Sequence, residues 1–365
     1  MVVAKLAAFM SQVLLKKSGE TIAGRVLLIL CPNAISLLAS GRKVILVSAT
    51  NGKTSTTRAL AGFMATAGSV ATSKTGSNLS RGVASALMTK SEYAVLEVDE
   101  LHLPGVAAQV NPEAILLLNL TRDQLHRMHE VKRVADRWRE MAEKTNATII
   151  IDCDDPFLNY AASAAKNVVR VSFGGAGGKH PDGAVCPSCG AYLDWDHGLY
   201  SCKCGLSNHY SDKKFEAESA ALRNQILANV VADHFGVPWH ESDPAMLERK
   251  VTKKFISADC SIRLTKNPAS WREALRGVTG EKVILILNAR EVDGIDTSWL
   301  WDVDFSCLRG KHVVVTGERG RDLSYRLHVQ GVVNELVSDF EAAAAHFAGP
   351  VEVLAAYTAF HGLVG

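Results

Sequence analysis

Between Val44 and Thr57 the chain reads VILVSATNGKTSTT, an apolar run that breaks at a glycine-containing loop and passes into a helical pattern. A strand that delivers a loop to a helix start is the setting in which proteins hold phosphate. Backbone N–H groups at the helix start face the anion, and the helix dipole favours its charge. Lys53 supplies a point charge for the β and γ oxygens of a nucleoside triphosphate, and the Thr54 hydroxyl is placed to ligate Mg²⁺. Thr50, Asn51, Gly52, Lys53, Thr54 and Ser55 are therefore the candidate nucleotide-binding residues. The first glycine of the common GxxxxGK[ST] form is missing: Val47 and Ser48 stand six and five residues before Lys53. Further along, VLEVDE (Val95 to Glu100) ends an apolar strand with three carboxylates. Carboxylates at a strand end beside a phosphate loop suit a hydrated Mg²⁺. Glu97 is the first choice for that role and Glu100 the second.

A second group has metal-ligand spacing. Cys186 and Cys189 form one knuckle, Cys202 and Cys204 another, with 12 residues between them. Two such knuckles around a short segment carrying Tyr192, Trp195 and Tyr200 read as a zinc ribbon. Four thiolates give the closed tetrahedral site of a structural Zn²⁺, with no open position for catalysis. The second knuckle is one residue short of Cys-x₂-Cys, so His209 or His197 is an alternative ligand. The competing reading is a reduced, metal-free loop. The remaining cysteines (Cys31, Cys153, Cys260, Cys307) lie among apolar runs and read as ordinary buried thiols.

These groups need elements to hold them. Residues 1–40 look helical, with Val3, Leu6, Phe9, Met10 and Leu14 at helical spacing. Strand-like runs follow at Lys43 to Ser48, Tyr93 to Val98, Ala114 to Asn119, Thr148 to Asp152 and Val168 to Phe173. Helical patterns at Thr54 to about Ala67 and Val131 to Lys144 separate some of them. Such alternation implies crossover units and a parallel sheet. Residues 174–211, rich in Gly, Cys, Asp and His, read as an insertion, with the ribbon at about 180–210. Helix resumes over Phe215 to His234, and a polar stretch around Gly236 to Pro244 suits a domain connection. A second alternating unit begins near Ile262, with strands at Lys282 to Leu287, His312 to Thr316 and Val351 to Leu354. The domain boundaries expected are 1–240 and 241–365.

The chain has 365 residues, enough for two domains with their own cores. It is 47% hydrophobic and 21% charged, which reads as soluble and globular. Its 40 basic and 38 acidic residues leave a formal charge of +2, against nucleic-acid binding as the main role. The apolar stretch Val26 to Ala39 is interrupted by Pro32 and Asn33 and is too short to span a bilayer. With no signal-peptide pattern at the start either, a cytoplasmic location is expected.

The TNGKT loop resembles that of Mur ligases and folylpolyglutamate synthases, and the resemblance continues along the chain. NLTRDQLH (Asn119 to His126) is similar to the superfamily's Asn-x-x-x-Asp-His-Leu-Asp motif, with Gln124 and His126 departing from it. IDCDDP (Ile151 to Pro156) resembles its Asn-x-Asp-Asp-Pro turn. Arg223-Asn224 resembles its His-Asn pair, whose asparagine contacts adenine, with Leu227 where a second asparagine is usual. The ribbon inside the ATPase domain narrows the resemblance to the MurT family. So do KNPAS (Lys266 to Ser270), DGIDTSWLWD (Asp293 to Asp302) and AYTA (Ala356 to Ala359).

What this resemblance implies is specific. The fold would be α/β: a Mur ligase central P-loop ATPase domain with an inserted four-cysteine zinc ribbon, then a C-terminal Rossmann-like domain. The N-terminal UDP-binding domain of other Mur ligases is expected to be absent, since the loop lies within 50 residues of the start. The activity implied is ATP-dependent amidation of the D-glutamate α-carboxyl of the lipid II stem peptide, through an acyl phosphate. Ammonia would come from a GatD-type glutaminase, and the lipid would be met at the cytoplasmic membrane face. Lys53 and Glu97 would be catalytic. Asp296, with Asp293 close behind, would complete the partner's Cys-His-Asp triad. On residue type alone Trp299 and Trp301 are either exposed interface anchors or core. The alternatives are a Mur-like ligase that adds an amino acid, and an idle ATP-binding scaffold.

Overall fold

The computed structural model describes residues 20–73, 77–123, 131–241, 250–291 and 293–364. The expected helical positions Val3 to Leu14, the motif residues Gln124 and His126, and Pro244 lie outside them. The chain divides into two compact units, the second beginning at residue 248 and including the short segment that starts at Thr121.

The first unit opens with helices α1 (Glu20–Leu30) and α2 (Ala34–Ala39). The break between them falls at Pro32, which cannot donate a helical hydrogen bond. Then come β1 (Lys43–Ser48), α3 (Lys53–Met64), β2 (Val70–Ala71), α4 (Ser80–Leu87), β3 (Tyr93–Glu97), α5 (Leu103–Val110) and β4 (Ala114–Leu117). They are followed by α6 (Val131–Lys144), β5 (Thr148–Asp152), α7 (Pro156–Ala162) and β6 (Asn167–Ser172). The ribbon hairpin β7 (Asp194–Asp196) and β8 (Leu199–Ser201) precedes β9 (Lys213–Lys214) and α8 (Ala220–His234).

Among the described residues the sheet has seven strands in the order β2-β3-β1-β4-β5-β6-β9, all paired in parallel. Strands buried on both faces must be apolar throughout, which is why β1 and β3 to β5 read as unbroken Val/Ile/Leu runs. β1 lies between β3 and β4, and the chain passes from β1 to β2 on one side and later from β3 across β1 to β4 on the other. The carboxyl end of β1 is thus a topological switch point, where open α/β sheets hold ligands.

Helix α8 starts later than the pattern predicts. Phe215 N–H bonds the Ser172 carbonyl, so the chain still runs beside β6 there, and Ser219 caps the helix by accepting from Leu222 N–H. Side-chain capping by serine fixes a helix start more firmly than periodicity does.

The second unit contains β10 (Lys250–Phe255), β11 (Ala258–Leu264), α9 (Pro268–Arg276) and β12 (Lys282–Ile286). A 3₁₀ turn at Ser298–Asp302 precedes β13 (His312–Thr316), α10 (Gly320–Val329), β14 (Asn334–Leu336), α11 (Phe340–Ala345), β15 (Gly349–Ala355) and α12 (Tyr357–Val364). The sheet order is β10-β11-β15-β12-β13-β14, parallel except for the β10–β11 hairpin. Sequence patterning missed β10. Its Lys253 and Lys254 are exposed on an edge strand, where charge blocks further pairing. Each unit has its own apolar core, one around Leu60, Leu116 and Val231, the other around Trp271, Leu285 and Leu323.

Candidate nucleotide site and cysteine cluster

Strands β3, β1 and β4 are neighbours, and their carboxyl ends bring three motifs together. The loop after β1 is clamped by Asn119, two residues past the end of β4. Thr50 N–H bonds the Asn119 carbonyl at 3.0 Å, Asn51 N–H bonds Asn119 Oδ1 at 2.9 Å, and Asn119 Nδ2 returns a bond to the Asn51 carbonyl at 2.9 Å. Sequence reasoning placed Asn119 in a motif but not in the site. Its position at a strand end beside β1 was the available signal.

Helix α3 begins at Lys53, after Gly52 at φ 84°. That left-handed conformation favours glycine, and a second constraint acts with it. A Cβ on Gly52 would lie 2.3 Å from Asn224 Nδ2. Asn224, in the first turns of α8, therefore stands directly against the loop.

Lys53 is buried and bonds the Ala49 carbonyl and Glu100 Oε2, the latter at 3.0 Å. The sequence ranked Glu97 ahead of Glu100. In the structure Glu100 pairs with the lysine, while Glu97, 4% exposed, has the Thr54 hydroxyl as its hydrogen-bond partner. Burial pushes the Glu97 carboxyl above the usual carboxylate range, against the pull of Thr54, Lys53 and Arg58. A divalent cation on this carboxylate and hydroxyl would offset that penalty, and both are hard oxygen donors of the kind Mg²⁺ takes. Trp138 fixes the turn from below, its Nε1–H bonding the Glu100 carbonyl at 2.9 Å.

The carboxylates after β5 serve the framework. Asp155 caps α7 through Phe157 and Leu158 N–H and accepts from Leu120 N–H at 2.8 Å. Asp154 accepts from Phe173 and Gly175 N–H. Burial and the neighbouring Asp154 push the Asp152 carboxyl up to about 7.

Cys186, Cys189, Cys202 and Cys204 converge, with their sulfurs all within 4.8 Å of one another. Cys186 and Cys204 are 3.6 Å apart, and Cys189 and Cys202 3.4 Å. A tetrahedral Zn²⁺ with Zn–S of ~2.3 Å would hold its sulfurs ~3.8 Å apart, so the cluster could hold a metal with little movement. The short Cys-x-Cys knuckle needs no substitute: among the described residues neither His197 nor His209 joins the group. The Leu206 N–H holds the Cys204 thiol down at about 6, while burial pushes Cys186 up to about 12.

Tyr200, fully buried, fastens this segment to the sheet. Its hydroxyl donates to the Cys153 carbonyl at 3.0 Å and accepts from Asn159 Nδ2 at 2.9 Å. Gly175 and Gly198 pass so closely that a Cβ on Gly198 would lie 2.1 Å from the Gly175 oxygen.

In the second unit the AYTA and DGID motifs meet. Asp293, 6% exposed, accepts from Thr358 N–H at 2.7 Å and the Thr358 hydroxyl at 2.6 Å. Asp296 is exposed and caps Ser298 N–H at 2.8 Å. In KNPAS, Asn267 caps α9 in a reciprocal capping box with Ser270. Lys266 pairs with Asp123 at 2.6 Å, and Arg122 with Asp302 at 2.9 Å. Trp299 is half-buried against Trp271, whereas Trp301 is 55% exposed with Arg326 over its ring.

Residues 47–232 match the family model described as "Mur ligase middle domain", and residues 264–360 the one described as "MurT ligase C-terminal". The chain is 27% identical to the subunit MurT of lipid II isoglutaminyl synthase (glutamine-hydrolyzing) from Staphylococcus aureus (strain COL), covering 79% of this chain and 78% of that one. It is 26% identical to the same-named subunit from Streptococcus pneumoniae (strain ATCC BAA-255 / R6), covering 88% and 84%. In fold it is similar to a pseudomurein peptide ligase type C from Methanothermus fervidus. The TM-score is 0.64 at 15% identity, over 86% of this chain and 76% of that one.

Proposed function

The chain belongs to the Mur ligase family, and from that premise we propose that it is the ATP-dependent subunit that amidates the D-glutamate α-carboxyl of the lipid II stem peptide to D-isoglutamine. The observation that carries the ligase chemistry is the meeting of Lys53, Thr54, Glu97 and Glu100 at the carboxyl ends of β1 and β3. A substrate carboxylate oxygen attacks the γ-phosphorus of ATP, and the bond to the β-phosphate oxygen breaks to release ADP. Ammonia then attacks the acyl carbon, phosphate leaves, and loss of a proton gives the amide. The Lys53 ammonium and the N–H groups from Gly52 to Ser55 stabilise charge on the transferring oxygens. Mg²⁺ held by Thr54 and Glu97 would neutralise the β and γ oxygens. Asn224, which stands against Gly52, would meet the adenine side of the nucleotide.

The first domain, 1–240, is the ATPase domain, and Zn²⁺ on Cys186, Cys189, Cys202 and Cys204 would close its ribbon. The second, 241–365, carries Asp296 for a GatD-type glutaminase that supplies ammonia. Such an aspartate would orient the partner's catalytic histidine. The relatives' naming as a subunit supports a heterodimer. The substrate is lipid-linked and is met at the cytoplasmic face of the membrane. No helix among the described residues is long and apolar enough to cross it.

The test combines the chain with a GatD-type glutaminase, lipid II, glutamine and Mg-ATP, with mass spectrometry of the product. Conversion to isoglutaminyl lipid II is expected, with a loss of about 10²-fold or more in Lys53→Ala. Undiminished amidation in that variant would reject the site. A product carrying an added amino acid would favour a different ligase, and nucleotide binding without turnover an idle scaffold.

A further inference from the structure

His312, Glu335 and His346 lie far apart in sequence and come from three elements of the second unit. His312 opens β13, Glu335 is the central residue of the three-residue edge strand β14, and His346 caps the C-terminal end of α11. Each offers one ligand atom, and these atoms all lie within 4.8 Å of one another. His346 Nδ1 is 3.5 Å from Glu335 Oε2. All three are exposed, so a hydrated ion can reach them.

We propose that this trio is a binding site for a divalent transition cation of the Zn²⁺ class, with water completing the coordination. Two imidazoles and one carboxylate form a donor set that suits such ions and not Mg²⁺ or Ca²⁺, which prefer oxygen alone. Nitrogen and oxygen ligands at ~2.1 Å in a tetrahedron stand ~3.4 Å apart, close to the spacing of His346 and Glu335. The third ligand closes by rotation of exposed side chains. A surface ion pair would explain one imidazole beside Glu335 but gives no reason for a second. His312 is also braced: its ring packs edge-on against Phe347, centroids 4.7 Å apart. Lys282, the strand neighbour of His312, turns its ammonium to the Ala348 carbonyl at 2.8 Å.

The consequence is mechanical. A short edge strand gains little from its own ladder. An ion held here ties β14 and the helix after it to the start of β13, so this edge of the sheet becomes firmer when metal is bound. The site is separate in sequence and chemistry from the four cysteines.

Cobalt titration of the metal-stripped full chain tests the proposal. Cobalt on the cysteines gives thiolate charge-transfer absorption, and cobalt on imidazole and carboxylate does not. A second equivalent without that absorption is expected. His312→Ala and His346→Ala should each weaken it by about tenfold or more, since even outer partners of a ligand are worth 10- to 100-fold. Both substitutions are at exposed positions, and circular dichroism should stay unchanged. Zinc should also slow hydrogen exchange in peptides from β14 and α11 of the unmodified chain and not of His346→Ala. Absence of a second equivalent at submillimolar cobalt, or its persistence in both variants, would overturn the proposal.

Discussion

Asp293 and Asp296 are three residues apart, and residue type and spacing alone do not separate them. Their surroundings do. Asp293 is almost fully buried and serves Thr358 and the Arg290 N–H, whereas Asp296 is exposed and caps one turn. Removing the buried acceptor leaves Thr358 N–H and Arg290 N–H without it, at roughly 1–3 kcal/mol. For a unit of about 100 residues each kcal/mol moves the melting midpoint by about 4–8 °C. Asp293→Ala should therefore lower the melting midpoint of the second unit by several degrees. Asp296→Ala removes one exposed cap bond and should cost only about 0.5–1 kcal/mol. Yet if Asp296 faces the glutaminase it should cut glutamine hydrolysis by the assembled complex by about 10²-fold or more. Thermal melting and a glutaminase assay on both variants separate the roles. An Asp296 variant with full hydrolysis would remove it from the partner's triad. The same lesson holds at the phosphate loop. The sequence pointed to Lys53 and both glutamates, but which carboxylate pairs with the lysine depends on how the turn after β3 is folded, and no spacing rule encodes that.

Individual elements were legible where one period dominates. The apolar runs of β1 and β5 and the amphipathic α6 lie where their patterns place them. Elements set by partners were not. Helix α8 starts late because residues 213–215 stay with the sheet, and β10 is hidden by its edge lysines. The ribbon shows the division sharply. Cysteine spacing announced a metal-sized cluster, yet nothing in Tyr200 announced that it pins the hairpin to the sheet. Its hydroxyl lies between the Cys153 carbonyl and Asn159, both from the sheet side of the joint. Tyr200→Phe keeps the ring among Leu193 and Trp195 but leaves that carbonyl and amide short of a partner, again about 1–3 kcal/mol. The hairpin should loosen at its base while the cysteine cluster is intact. Limited proteolysis should cut residues 180–210 faster in Tyr200→Phe, with metal content per chain unchanged. Equal cleavage rates would mean that the ribbon is held by other contacts, such as Asn208 Nδ2 to Asp154 Oδ1 at 3.0 Å and Asn159 Nδ2 to the Ser207 carbonyl at 2.8 Å.

At the scale of the molecule, two sheets with separate apolar cores behave as separate cooperative units unless a large apolar interface joins them. A ligand that binds only one native unit stabilises that unit by RT ln(1 + [L]/Kd), about 2.7 kcal/mol at a hundredfold excess over Kd. Every candidate nucleotide contact from Thr50 to Asn224 lies in the first unit. Mg-ADP should therefore slow hydrogen exchange in peptides spanning β1, α3 and β3, and raise the melting transition to which they belong. Peptides of β11, β12 and β15 should respond far less. Lys53→Ala should erase the difference, because its buried ammonium, 3.0 Å from Glu100 Oε2, is the charge proposed to meet the phosphates. If nucleotide protects both sheets equally, the two units share one cooperative transition. If it protects neither, the loop after β1 does not hold a nucleotide, and amidation by this chain loses its chemical basis.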